Sequence, residues 1–262
     1  MNLKMNPLNS FQKKIKVLLT DIDDTLTDDG FLGARAYESL WKLKEAGVKV
    51  VPVTGRPAGW CEMIARQWPV EGVIGENGGF YFRHHHHKMH RHFFSDENTR
   101  RQNQKKLEEV KNEILSTVPG VQVASDQFCR MMDLAIDFCE DVVPVPTEQV
   151  QKIVNIFKSY GAQAKVSSIH VNGWFGEYDK LTMSLYFLKN EFAISPDQAK
   201  EVCGFCGDSP NDEPMFNYFP NSFGVGNVIN FKDQMKSPPA YVSENWGGHG
   251  FVDISEQILK HL

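Results

Sequence analysis

The 262-residue sequence contains no apolar run near the roughly 18 residues a membrane span requires, so no membrane partner is expected. Its start, "MNLKMNPLNSFQKK", lacks the long apolar stretch of a secretory signal, and the expected location is cytoplasmic. A basic excess is also missing. The 28 Lys and Arg against 33 Asp and Glu give a net charge of -5, the wrong sign for general nucleic-acid binding. Cysteine is scarce and odd in number, five in all, which argues for free thiols in a reducing compartment rather than a disulfide framework. The closest pair, Cys203 and Cys206 in "CGFC", falls in a segment (Glu201 to Gly207) that reads as a buried strand. Positions three apart on a strand face opposite ways, so the two sulfurs are not expected to share a metal. There is no internal repeat, and the only low-complexity tract is a histidine run. With 41% hydrophobic and 23% charged residues, the chain suits one large or two modest globular domains and not disorder.

What is present begins with "KVLLTDIDDTLTDDG", residues 16 to 30, an apolar strand that runs directly into Asp21, Asp23 and Asp24, then Asp28 and Asp29. In parallel α/β sheets the carboxyl ends of strands carry the ligands. Carboxylates crowded there repel one another, and a divalent cation is the usual remedy. "ARAYESLWKLKEAG" follows with Leu40, Trp41 and Leu43 as an apolar helical stripe, then "VKVVPVTGRP" as a second strand ending at Thr54. "WCEMIARQW" reads as a helix and "EGVIGENGGFYF" as a third strand broken by glycines. Strand, helix, strand, helix, strand implies a parallel sheet.

The pattern changes near residue 83. "RHHHHKMHRHFF" is basic and irregular, and "SDENTRRQNQKKLEEVKNEILSTV" reads as a capped amphipathic helix. "MMDLAIDF" and "AQAKVSSIHV" alternate as half-covered strands do, and "PTEQVQKIVNIFKSYG" is a second amphipathic helix with Thr147 as its cap. The parallel pattern then resumes with a helix entered at Lys180, a strand ending in "GDSPND", a short "SFGVGN" strand, and a closing strand and helix. The expected architecture is α/β: a Rossmann-like parallel-sheet core, residues 1–83 and 173–262, with an inserted α+β cap domain at 84–172. The histidine tract, where the chain leaves the core, is either extended or reversed near Lys88; in both cases it is a candidate site for a second anionic group of a ligand.

If both halves of the core form one sheet, its strand ends bring together Asp21, Asp23, Thr54, Lys180 and the "GDSPND" loop. That set has a chemical meaning. Hydrolysis of a phosphate monoester needs a nucleophile, neutralised phosphoryl oxygens and a protonated leaving group. Asp21 supplies a nucleophile and Asp23 a general acid/base. Thr54, Asn211 and Lys180 offer donors to the phosphoryl oxygens, and Asp208 completes an oxygen cage for Mg2+.

"DIDDT", "TGRP", the lysine of "YDK" and "GDSPND" resemble, in order, the four motifs of the haloacid dehalogenase superfamily of aspartate-nucleophile phosphatases. The insert between the second and third motifs resembles the α/β cap of its sugar-phosphatase branch, which includes sucrose-phosphate, trehalose-phosphate and mannosylphosphoglycerate phosphatases. The resemblance implies that Asp21 is nucleophile and magnesium ligand, and that Asp23 adds its backbone carbonyl to the metal. It assigns Asp208 and Asp212 to the metal site, and Thr54, Gly55, Arg56, Lys180 and Asn211 to substrate binding. Asp24 stands where the family often has glycine; its side chain is expected to point away from the phosphate. The implied activity is Mg2+-dependent hydrolysis of a small phosphorylated metabolite, a sugar or glycosyl phosphate foremost. The alternatives are a phosphomannomutase-like sugar phosphomutase and a non-catalytic phosphometabolite-binding protein.

Overall fold

The computed structural model describes residues 5–167 and 169–262; the sequence expectations for residues 1–4 and Ser168 lie outside the described residues. In chain order the first elements are β1 (Asn6–Pro7), β2 (Val17–Thr20), a ribbon of β3 (Thr27–Asp28) and β4 (Phe31–Leu32), and α1 (Ala34–Glu45). Next come β5 (Lys49–Pro52), α2 (Ala58–Gln67), β6 (Val73–Gly75), β7 (Phe80–His85) and β8 (Lys88–Phe93). The middle of the chain supplies α3 (Glu97–Thr117), β9 (Gln122–Val123), β10 (Asp133–Asp137), α4 (Thr147–Ser159), β11 (Gln163–Val166) and β12 (His170–Trp174). The last part contributes α5 (Lys180–Phe192), α6 (Pro196–Val202), β13 (Cys203–Gly207), α7 (Glu213–Tyr218), β14 (Ser222–Gly224), β15 (Tyr241–Val242) and α8 (Gly247–Leu259).

Both ends of the chain build one parallel sheet in the order β1-β15-β14-β13-β2-β5. Every residue of β2 and β13 is buried, as an apolar strand covered on both faces requires. Leu18 and Cys206 belong to the apolar cluster on one side of the sheet, and Leu19 and Cys203 to the cluster on the other. The two cysteines of "CGFC" are therefore free and on opposite faces, as strand geometry demands. Glu201 and Val202, which the sequence reads as strand, close α6 instead, because Ser195 and Gln198 form a capping box that starts a helix there. On α1, Ala36, Leu40 and Leu43 face the core, and burial of each leucine contributes about 2 kcal/mol. Trp41 is 43% exposed. It lies one residue, about 100° of helix turn, from Leu40 and so leaves the buried stripe.

The segment read as a third strand and an irregular tract is a three-stranded antiparallel sheet, β6-β7-β8, joined to β5 through the parallel bridge of Val53 with Ile74. The histidine tract is its hairpin, turning at His86 and His87, both with positive φ. The reversal thus falls just before Lys88.

A second, antiparallel sheet has the order β11-β12-β10-β9. "AQAKVSSIHV" is not one strand but two, β11 and the start of β12, paired antiparallel. Leu107, Val110 and Ile114 of α3 and Ile153 and Phe157 of α4 pack on Leu134, Ile136 and Val171, the apolar face of this sheet. Asp96 caps α3 by accepting from the Thr99 amide, whereas α4 starts after Pro146 and Thr147 makes no side-chain cap. The sequence reads β10 as half-covered, yet all five of its residues are buried. Its polar face turns toward the core, where Met132, Trp174 and Tyr178 join the main apolar cluster.

Candidate active site

Hydrogen bonds along β2 and β13 leave Asp21 and Asp208 just past the carboxyl ends of two adjacent strands. The Asp21 amide donates to the Cys206 carbonyl (2.9 Å), which fixes the first acid against the second strand. Each oxygen of the Asp21 carboxylate accepts one hydrogen bond: Oδ1 from the Ile22 amide (2.8 Å) and Oδ2 from Lys180 Nζ (2.8 Å). Each retains a lone pair. Lys180 also donates to Asp212 Oδ1 (2.8 Å), and the other Asp212 oxygen accepts from the Asp208 amide (3.1 Å). Asp208 accepts from Thr25 Oγ1 and from Asn227 Nδ2, both at 3.3 Å.

Lys180 reaches this position because α5 begins at it. Asp179 is the N-cap and accepts from the Thr182 amide (2.7 Å). Gly78, with φ of +103°, packs directly against the Asp179 carbonyl, where any Cβ would collide. The glycines that break the third strand thus seat the start of the lysine helix.

Three carboxylates, Asp21, Asp208 and Asp212, are buried and present oxygens within 4.8 Å of one another. Burial, opposed by Lys180 and reinforced by Asp212 and Asp23, pushes Asp21 up to about 7. Burial and then the neighbouring Asp212 and Asp21 hold Asp208 well above the usual carboxylate range. Burial works against the Lys180 ammonium, but Asp21 and Asp212 outweigh it and hold the amine protonated. A single lysine cannot neutralise three such acids. An all-oxygen donor set of this kind fits a hard divalent cation, whose charge relieves the residual repulsion.

The TGRP turn flanks this cluster. Thr54 is buried, and its hydroxyl accepts from the Arg56 amide (3.0 Å). The Arg56 guanidinium forks onto Asp23, with Nε and Nη2 at 2.9 and 2.8 Å from Oδ1, and stacks over the Trp60 ring at 4.5 Å. Its Nη1 lies 3.5 Å from Glu140, on the loop after β10. Asp23 therefore faces Arg56 rather than the three-carboxylate group. A carboxylate held by one guanidinium in this way has to be released before it can give a proton to a leaving group. Asn211 accepts from Ser209 Oγ (3.0 Å) and lines the cavity beside Lys180. Asp24 has φ of 55°, a left-handed backbone that explains why glycine is at home there. It lines both cavities of the site.

The second sheet supplies residues that the sequence did not single out. Arg130 donates from Nη1 to the Gly55 carbonyl (3.0 Å) and to Asp133 (3.0 Å), which links this sheet to the TGRP turn. Asn172 donates to Asp133 (2.9 Å), and His170 Nε2 lies 2.9 Å from Glu140. Glu140 is placed by Asp137, whose carboxylate accepts from the amides of Cys139, Glu140 and Asp141. An enclosed cavity of about 40 Å³ lies between Asp21, Lys180 and Asn211 of the core and Arg130, Lys165 and His170 of the second sheet. A wider cavity of about 740 Å³ adjoins it, lined by Asp24, Asp28, Ser167, Asn227, Phe231 and Trp246 among others. Residues 84–92 line neither.

Residues 18–123 match the family model described as haloacid dehalogenase-like hydrolase. A relative named phosphoglycolate phosphatase, from Methanoculleus marisnigri, is 26% identical over 256 residues, covering 95% of this chain and 98% of the relative. Among solved structures, Thermoplasma acidophilum 0175 superposes with a TM-score of 0.70 at 22% identity, over 95% of this chain and all of that one. The sucrose-phosphatase of Synechocystis, solved with sucrose and phosphate, gives 0.64 at 14% identity, over 94% and 98%. At such identities the two structures speak for the fold. The family match over residues 18–123 and the relative make the chain similar to haloacid dehalogenase-like hydrolases and to a phosphoglycolate phosphatase.

Proposed function

We propose that this protein is a Mg2+-dependent phosphatase that hydrolyses a small phosphorylated metabolite, in the first place a sugar or glycosyl phosphate, through an aspartyl phosphate on Asp21. The observation that carries the reading is the buried Asp21–Lys180–Asp212 chain beside Asp208: a carboxylate fixed at both oxygens, one cation, and an excess of oxygen ligands. Asp21, Asp208 and Asp212 would hold the metal, which when bound offsets the charge of phosphate and carboxylates and leaves Asp21 ionised. Asp21 attacks phosphorus. Lys180, Thr54 and Asn211 donate to the phosphoryl oxygens, and Asp23, once free of Arg56, protonates the leaving oxygen and then activates water.

The sugar reading is supported by the wider cavity. Its carboxylates, amides and hydroxyls suit a polyhydroxyl group, and Trp246, 59% exposed, offers a face for a ring. A second reading, a small phosphorylated carboxylic acid such as phosphoglycolate, is favoured by the enclosed cavity, which is small and has the cations Arg130 and Lys165 on its wall. Phosphate release is measured with Mg2+ over a panel containing hexose phosphates, disaccharide phosphates and phosphoglycolate. A sugar phosphate with the highest kcat/KM supports the first reading, and phosphoglycolate the second. Isomerised product without free phosphate would mark a mutase, and binding without turnover a sensor; either would overturn the proposal.

A further inference from the structure

We propose that the Asn77 side-chain amide is a specificity-determining donor that holds an acceptor oxygen of the leaving group, across the cleft from His170. This rests on the phosphatase reading above and adds a residue to it. Asn77 is 8% exposed, and its Nδ2 has no hydrogen-bond partner among the described residues. It lines the enclosed cavity and also a smaller one that opens beside Lys165, Lys180 and Asn211. Buried donors are normally paired, and an unpaired one beside a cavity is a group awaiting a ligand.

The backbone points the same way. Asn77 has φ 56° and ψ 27°, and Glu76 before it also has positive φ, 44°. Non-glycine residues persist in this region where the surroundings impose it, and such sites cluster where ligands bind. Here the surroundings are explicit. The Glu76 carboxylate accepts from the amides of Ala58 on α2 and of Met131, Met132 and Asp133 at the start of β10. The Asn77 amide N–H donates to the Thr54 carbonyl (3.0 Å), and Gly78 packs on the residue before Lys180. The side chain lies so close to Gly55 that a Cβ there would sit 3.3 Å from Nδ2. The backbone that carries the side-chain amide is therefore anchored to the TGRP turn, the lysine helix and the second sheet at once.

The leaving group, not the phosphoryl group, is the partner that this placement selects. The cavity that Asn77 lines lies between the core, with Asp21, Lys180, Asn211 and Asp208, and the second sheet, with Lys165, His170 and Asn172. His170 Nε2 is likewise buried and has no hydrogen-bond partner among the described residues, although it lies 2.9 Å from Glu140. A hydroxyl or carboxylate oxygen between Asn77 and His170 would complete both.

The test is Asn77→Gly, which deletes the amide and suits the left-handed backbone, with Asn77→Asp as a variant that keeps the shape but cannot donate. For the best panel substrate, kcat/KM should fall about tenfold or more, mainly in KM, as loss of a buried hydrogen bond predicts. Inhibition by inorganic phosphate should stay within about twofold, and Asn77→Gly should melt no lower than the wild type. Unchanged kcat/KM would overturn the assignment and make Asn77 a mere turn residue. Equal weakening of substrate and inorganic phosphate would also overturn it, placing the amide on the phosphoryl group. The panel arms separate a hydroxyl from a carboxylate. If the wild type releases phosphate from no compound, the phosphatase reading fails by itself. Calorimetric binding of the same compounds then decides the Asn77 assignment, weaker binding by the variant supporting it and equal binding overturning it.

Discussion

Lys180→Met removes the side-chain cation that, among the described residues, pairs with both Asp21 and Asp212, while keeping an apolar side chain of similar length. The two ion pairs are 2.8 Å long, and the three side chains are between 0% and 6% exposed. Removing one member of a buried pair costs about 3–5 kcal/mol, because the partner charge stays buried without compensation. For a chain of this size that corresponds to a fall in Tm of about 6–20 °C, measured by thermal unfolding in chelator. The loss should depend on pH, with a sign set by the raised carboxyls. Asp21 is pushed from 3.8 to about 7, and Asp208 moves in the same direction. Folded protein therefore holds these protons to higher pH than unfolded protein. The stability they contribute is fully present below about pH 4 and is lost as pH rises through about 7. Without Lys180 both acids are displaced further, so the variant's deficit should be larger at pH 8 than at pH 5. Mg2+, supplying the missing charge, should then raise the variant's Tm at pH 8 more than it raises that of the wild type. A variant that melts with the wild type at pH 8 in chelator would show that the lysine does not balance this cluster.

Asp21→Asn should fold and lose turnover; more than about a tenth of the wild-type rate, with deamidation checked by mass spectrometry, would remove Asp21 as nucleophile. Asp208→Ala should shift the midpoint of a Mg2+ titration upward while binding of a substrate analogue without metal changes less, and an unmoved midpoint would separate "GDSPND" from the metal. Replacing His84, His86, His90 and His92 together by Gln should leave KM unchanged at pH 6 and pH 8, since the hairpin lines neither cavity of the site. A KM that rises at pH 6 alone would restore the anion-attracting role suggested by the sequence. Glu76→Gln should cost about 2–6 kcal/mol, because at least two of its four amide donors would face an NH2 group. Hydrogen exchange at Met131, Met132 and Asp133 should accelerate with it, and unchanged exchange there would argue that Glu76 does not tie the second sheet to the core.

The parts of the site legible in the sequence are those in which one local signal fixes a residue's place. A continuous apolar run that stops at an acid marks the end of a buried parallel strand, and Asp21 and Asp208 were readable for that reason. Lys180 was readable as the lysine of "YDK" at the start of a helix, which the structure caps with Asp179. The residues that face the core from the second sheet had no such signal. Alternation in "DLAID" separates two faces of β10 but does not say what covers the second one. Asp133, Asp137, His170 and Asn172 look like a solvated face and are all buried, because the sheet lays its polar side over the TGRP turn. Asn77 was hidden differently: between glutamate and two glycines it reads as a turn, and only the surrounding contacts show that its backbone is constrained and its side-chain amide left without an acceptor among the described residues. The asymmetry has a physical cause. Chemistry on phosphorus depends on groups at the ends of strands, whose positions follow from local pattern. Discrimination among leaving groups depends on how one sheet packs over another, which is a long-range property that no short stretch of residues encodes.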